Sequence, residues 1–306
     1  MAPGPSPGDR VSAYLEAAVS GNVFPGCVLA HGSPARGEVG FLWAGHRGLS
    51  RNRVLVGPDL VYDLASMTKV LSTAFLLAIA VGEGLIGLGT EIRCLNWPVP
   101  DEIKGLRVED LLTHQSGLPR WRPYYLDKGL ANRDRLIETI LREPKESKLG
   151  HETLYSDLNF ILLGFVLETI YGSDLKTLFA ERIARPLGLR FTGFGPNPLE
   201  CPVAPTEDGP RLGGPLDWPG VKVLGPVPLG RVHDDNAAFL SGQAGHAGLF
   251  GPAGEIWRIV ADWAKSLTGA PGALAPGPTM EAFLRPRSPK KGPPRAAGFD
   301  IGLGPL

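Results

Sequence analysis

Cysteine is scarce in this chain of 306 residues. Cys27, Cys94 and Cys201 stand far apart and lack the paired spacing of a zinc site. So small and odd a set leaves room for one disulfide at most and suits a reducing compartment. An excess of either charge is lacking too. Lys plus Arg and Asp plus Glu both number 31, for a formal charge of zero, which argues against a large basic face for nucleic acid or anionic lipid. Long apolar runs are few, and the longest, Val70 to Ala80, is too short to cross a bilayer. The start, "MAPGPSPGDRVSAYLEAAV", has no basic head followed by an apolar core, so it does not read as a secretion signal. The expectation is a cytoplasmic protein acting on a small molecule, with neither nucleic acid nor membrane as partner; composition is silent on oligomeric state.

Apolar residues make up 43% of the chain, enough to bury a real core in one large domain or two modest ones. Glycine (41) and proline (30) are plentiful. They gather in the last third, in "GPNPLECPVAPTEDGPRLGGPLDWPG" and "TGAPGALAPGPTM", which read as long loops.

Helical spacing appears first near Val11 to Val19. "GCVLAHGS" and "EVGFLWAGHRG", split by the turn-like "SPARG", read as an antiparallel hairpin. "DLVYDLA" is a short extended segment leading to Ser66. A buried helix follows from Met67 to about Gly82, then short helices at Val108 to Leu112 and Arg133 to Leu141. "DLNFILLGFVLETIYG" is strongly helical up to Gly172, "DLKTLFAERIARPLGL" is a helix broken by Pro186, and "EIWRIVADWAKSL" is the last helix. Strands first and helices later make an α+β pattern rather than alternating βαβ.

Within this pattern Ser66 and Lys69 sit three residues apart at the head of the buried helix, so both side chains share one face. Ser66 has two readings: a helix N-cap, or a nucleophile whose hydroxyl is activated by a lysine held in a partly apolar pocket. An idle charge at Lys69 would be costly to bury, which favours the second. Tyr155 in "LYSDLN" precedes the strong helix. It is either a packing aromatic or a proton-transfer group beside the lysine, and Asp157 is an N-cap on the plainer reading.

With "SMTK" at Ser66 to Lys69 and "YSD" at Tyr155 to Asp157, the chain resembles the serine β-lactamase and penicillin-binding protein superfamily. It is most similar to the branch of class C β-lactamases, related D,D-peptidases and esterases. "FPGCVLAHG", "LLTHQSGLP", "PLGLRFTGF" and "AGHAGLFGPAGEIWRIVADW" resemble further segments in the same order, from about residue 10 onward. The resemblance implies an antiparallel sheet flanked by helices plus a helical lobe, with the site between them and no cofactor. It implies one hydrolase domain over 1–306: helix and strands over 10–65, a mainly helical lobe over 66–190, and a loop-rich return over 191–306. Ser66 would be acylated, Lys69 would help deprotonate it, and Tyr155 would carry the proton. Asp157 stands where the branch has asparagine, and a carboxylate cannot donate as an amide does.

A third motif, Lys or His then Thr or Ser then Gly, is implied on a late strand whose backbone supplies an oxyanion N–H. His246-Ala247-Gly248 is one candidate, but its downstream sequence resembles the segment before that strand. On this reading the chain, ending at Leu306, is shortened at its C-terminal end, and the Phe24 to Gly48 hairpin keeps an unpaired edge. Two rival functions follow. One is a catalytically impaired relative that binds a ligand or partner through the cleft. The other is a metal-dependent hydrolase using His233, Asp235 and His246. Short of that, His233 and His246 are candidate substrate contacts in a polar loop. His114 is expected to tighten its own loop, and Trp121, Tyr124 and Tyr125 either cover the helical block or line the cleft.

Overall fold

Helix α1 (Pro7–Ser20) begins where Ser6 and Asp9 cap each other: Ser6 Oγ accepts from the Asp9 amide and Asp9 Oδ2 from the Ser6 amide. That capping box, with proline in the first turn, starts the helix ahead of the predicted Val11. The computed structural model describes residues 6–48, 54–207, 209–214, 222–270 and 273–301. The 215–220 part of the predicted long loop and the chain end at Leu306 lie outside the described residues.

Strands β1 (Gly26–Ser33) and β2 (Glu38–Gly45) form the expected antiparallel hairpin, in register from Gly26 opposite Gly45 to Ser33 opposite Glu38. Gly37 in the turn has φ of +67°, a left-handed conformation that glycine adopts at no steric cost. Among the described residues β1 pairs only with β2. β3 (Tyr62–Asp63) then leads into the segment holding Ser66.

The helical lobe carries most of the core. It comprises α2 (Phe75–Gly82), α3 (Val108–Leu112), α4 (Arg133–Arg142), α5 (Asp157–Tyr171) and α6 (Leu175–Phe179). In α5 every residue from Leu158 to Leu167 is buried, so this helix is covered on all sides rather than amphipathic. It stops at Gly172 with φ of +66°. α6 continues through wide π-type turns over Ala180–Ala184 and ends before Pro186. The run Ala65–Gly82 is apolar and long enough to cross a membrane, longer than the Val70 to Ala80 stretch suggested, but 67% of it is buried inside the fold.

The rest of the chain returns to the sheet side. It contains β4 (Gly193–Phe194), β5 (Arg211–Leu212), β6 (Val223–Leu224), α7 (Asp235–Phe239), β7 (Leu249–Gly251), α8 (Ala253–Leu267) and α9 (Gly277–Leu284). β7 is the middle strand of an antiparallel trio ordered β3-β7-β4, so it sets the segment before it against the start of the nucleophile helix. The described strands thus form three small antiparallel sheets beside the helical lobe, the α+β arrangement expected. α9 falls partly on a stretch read as loop. Its proline lies in the first helical turn, where no amide bond is lost, and Met280 and Phe283 are buried.

Candidate active site

Ser66 sits in a tight 3-10 turn, Ala65–Met67, followed by π-type turns over Lys69–Ala74. Just before it Ala65 has φ of +44°, a left-handed conformation that costs a β-carbon residue energy. Three hydrogen bonds hold this turn. Asp63 Oδ1 accepts from the Ala65 amide (2.9 Å), Thr68 Oγ1 donates to the Ala65 carbonyl (2.7 Å), and the Leu249 amide donates to Thr68 Oγ1 (3.1 Å). One turn on, Thr73 Oγ1 donates to the Gly245 carbonyl (2.7 Å).

The tight turn brings Ser66 and Lys69 together. Lys69 Nζ donates to Ser66 Oγ at 2.8 Å and to the His246 carbonyl at 3.2 Å. It also lies 2.7 Å from Asp157 Oδ1, close enough for an ion pair though not along a hydrogen-bond direction. Only 3% of the lysine side chain is exposed. Two hydrogen-bond acceptors and one carboxylate therefore surround the ammonium. Ser66 Oγ meets the lysine and its side chain caps no helix, so the N-cap reading fails. Asp157 is likewise not the cap of α5; Ser156 takes that position.

Tyr155 approaches from the α5 side, with Lys69 Nζ 5.0 Å from its ring centroid. The His114 ring lies 4.5 Å away and Arg295 Cζ 5.6 Å. His114 does more than tighten its own loop. Its Nδ1 accepts from the Ser156 amide (3.0 Å) and faces Asn159 Nδ2 (3.2 Å), fixing the segment that carries Tyr155 and Asp157. Burial, helped by the charges of Arg295 and Lys69, holds its pKa well below the usual histidine value, so it acts as a neutral acceptor.

His246 is buried, and its Nε2 meets Asp234 Oδ1 at 2.9 Å. Burial alone would raise the Asp234 pKa; the His246 side chain, the Ala237 amide and Lys69 outweigh it and bring it down to about 2. His246 reaches the nucleophile centre through its backbone carbonyl, an acceptor, and not through an N–H suited to an oxyanion. His246-Ala247-Gly248 runs into the central strand β7 and then α8.

His233, Asp235 and His246 do not converge as metal ligands. His233 Nε2 pairs with Glu207 (2.8 Å), Asp235 takes Arg211 through both oxygens (2.6 and 2.8 Å), and His246 holds Asp234. Among the described residues the group close enough to share an ion is Asp157, Asp234 and His246. The Lys69 ammonium at 2.7 Å from Asp157 already neutralises that carboxylate and opposes a second cation there.

A cavity of about 240 Å³ opens beside Asp157, walled by Trp121, Arg211, His233, Asp234 and Asp235. Trp121 therefore lines the cleft. Tyr124 is buried, donating to Glu143, and Tyr125 donates to the Gly213 carbonyl, so the aromatic group divides between the two readings. A larger, mainly apolar groove of about 590 Å³ lies along the free side of β1, bounded by Val28, Tyr62, Met67, Ile256 and Trp257.

Residues 14–305 match the beta-lactamase family. This chain is a member of that family. Among curated proteins, the beta-lactamase family chain is 36% identical over 219 residues to a "Putative D-alanyl-D-alanine carboxypeptidase" of Escherichia coli K12, which covers 64% of this chain and 49% of that protein. It therefore spans about half the length of the curated relatives it matches. The D-amino acid amidase from Ochrobactrum anthropi SV3 superposes with a TM-score of 0.71 at 20% identity, covering 97% of this chain and 82% of that one. A class C beta lactamase from Rhodobacter sphaeroides does so with a TM-score of 0.66 at 18% identity, covering 90% and 70%. At such identities these two matches show the beta-lactamase fold alone. Within it, Ser66, Lys69, Tyr155, Asp157 and His246 come together, while His233 stands apart on the cavity wall. Asp63, Thr68, Thr73 and Asn159 were not anticipated as supports. Only the positions of Asp63, three residues before "SMTK", and of Thr68, inside it, could have signalled them.

Proposed function

We propose that this chain is a serine hydrolase that forms an acyl-enzyme on Ser66 with a small amide or ester, peptides of D-amino acids and β-lactams included. The observation that carries this reading is the 2.8 Å contact between Ser66 Oγ and a lysine ammonium that is almost wholly buried. The proposed roles follow from chemistry. Ser66 attacks the carbonyl. The Lys69 ammonium, held by Asp157 and the His246 carbonyl, stabilises the developing alkoxide and so helps Ser66 release its proton, which passes to Tyr155. The Tyr155 phenol delivers a proton to the leaving group and activates the water that releases the acyl group. Asp157 and His233 line the side on which a substrate arm would lie. The names of the carboxypeptidase and amidase relatives agree with this substrate class. The three cysteines, all free thiols, support a cytoplasmic setting.

The test is intact mass after incubation with a fluorophosphonate and, separately, with a penicillin. Wild-type protein gains one adduct and Ser66→Ala gains none. A folded wild-type chain that takes up neither probe would overturn the proposal in favour of a ligand-binding role for the cleft.

A further inference from the structure

Asp63 lies outside the set of groups given a chemical role above, yet its carboxylate makes an unusual connection. Oδ1 accepts from the Ala65 amide at 2.9 Å, and Oδ2 accepts from the His233 amide at 2.8 Å, a residue 170 positions away. The first bond closes the left-handed turn before Ser66. The second pins the start of the segment that builds the cavity wall. Directly after His233, Asp234 holds His246 and caps α7 through the Ala237 amide, and Asp235 grips Arg211. Burial pushes the Asp63 pKa up, against the pull of those two amides and of His233. A carboxylate placed where its charge is disfavoured, with each oxygen taken by a different segment, joins the two segments.

We infer that Asp63 is a positioning residue: a two-sided tether that holds the Ala65 backbone in its left-handed state and locks the Ser66 turn in register with the cavity wall at His233–Asp235. Its effect on catalysis rests on the acyl-enzyme reading; the tether itself does not. Only a carboxylate serves both partners. Asparagine keeps one acceptor oxygen and turns an NH2 toward the other amide, setting donor against donor. Alanine removes both acceptors and leaves the left-handed Ala65 held only by the Thr68 hydroxyl on its carbonyl. Glycine at position 65 adopts that conformation freely, so it relieves the need for half of the tether.

The experiment has two independent readouts. The first is the second-order rate of fluorophosphonate labelling at Ser66, followed by intact mass, for wild type, Asp63→Asn, Asp63→Ala, Ala65→Gly and the Asp63→Ala/Ala65→Gly double variant. The expected order is wild type, then Asp63→Asn, then Asp63→Ala, the last at least about ten-fold slower. Ala65→Gly should recover several-fold in the Asp63→Ala background and give no gain in wild type. Equal rates for wild type and both Asp63 variants, or the same gain from glycine in both backgrounds, overturns the tether. If Asp63→Ala does not fold, Asp63→Asn carries the test alone, and a rate at least about three-fold below wild type is required. The second readout is hydrogen exchange in peptides covering 62–68 and 230–236, which needs no activity. Asp63→Asn should accelerate exchange in at least one of the two segments, and Asp63→Ala in both. Unchanged exchange in both segments refutes the tether. Should wild type fail to label while exchange changes as expected, the acyl-enzyme reading fails and the tether stands.

Discussion

Replacing Lys69 by methionine tests the centre of the site through stability alone. Methionine nearly matches the lysine stem in volume, so the change removes charge without opening a cavity. The ammonium it deletes is 3% exposed and faces Asp157, Ser66 Oγ and the His246 carbonyl. Breaking a buried pair by removing one partner costs about 3–5 kcal/mol, chiefly because the other charge is stranded. Asp157 is 20% exposed and retains some water, so we place Lys69→Met below that range, at about 2–3 kcal/mol. Asp157→Asn strands the less exposed ammonium and should cost about 3–5 kcal/mol. The double variant leaves no unpaired charge. Its loss should fall at least about 2 kcal/mol short of the sum of the single losses. Urea unfolding at pH 7, with slopes compared across the four proteins, reads the cycle. A Lys69→Met protein as stable as wild type, or strictly additive losses, would refute the picture of a charged pair at the nucleophile.

Two further variants probe the scaffold. Burial raises the Asp110 pKa to about 6, against the pull of the Arg107 amide; this lies above its unfolded value, so the ionised group costs stability as pH rises from about 4 to 6 and fully above that. Asp110→Asn keeps the amide bond and should be about 2 kcal/mol more stable than wild type at pH 8, the gap closing below pH 4 in denaturant titrations. A β-carbon at Gly245 would stand 2.0 Å from the Phe160 carbonyl oxygen and 2.9 Å from the Gly164 amide. Gly245→Ala should therefore cost about 3 kcal/mol or more and slow labelling at Ser66, because the displaced segment carries the carbonyls that hold Thr73 and Lys69.

The helical lobe was legible because its signals are local. The periodicity of 158–170 with Gly172 as its stop, and the apolar run after Ser66, report burial and length directly. The pairing of Ser66 with Lys69 was legible for the same reason, since residues three apart in a tight turn face the same way. α9 was obscured because proline reads as a breaker, whereas in a first helical turn it is tolerated. The metal reading of His233, Asp235 and His246 failed because neighbours in sequence diverge in direction, each finding its own counter-charge.

Composition and local pattern thus determined the class of fold, the candidate nucleophile and its lysine. Tertiary structure alone decided that Asp157 neutralises that lysine, that His246 serves through its carbonyl, and that Asp63 joins two segments 170 residues apart. The physical reason is range. Helix spacing acts over one turn of chain, while an ion pair or a shared carboxylate depends on which distant backbone packing brings within about 3 Å.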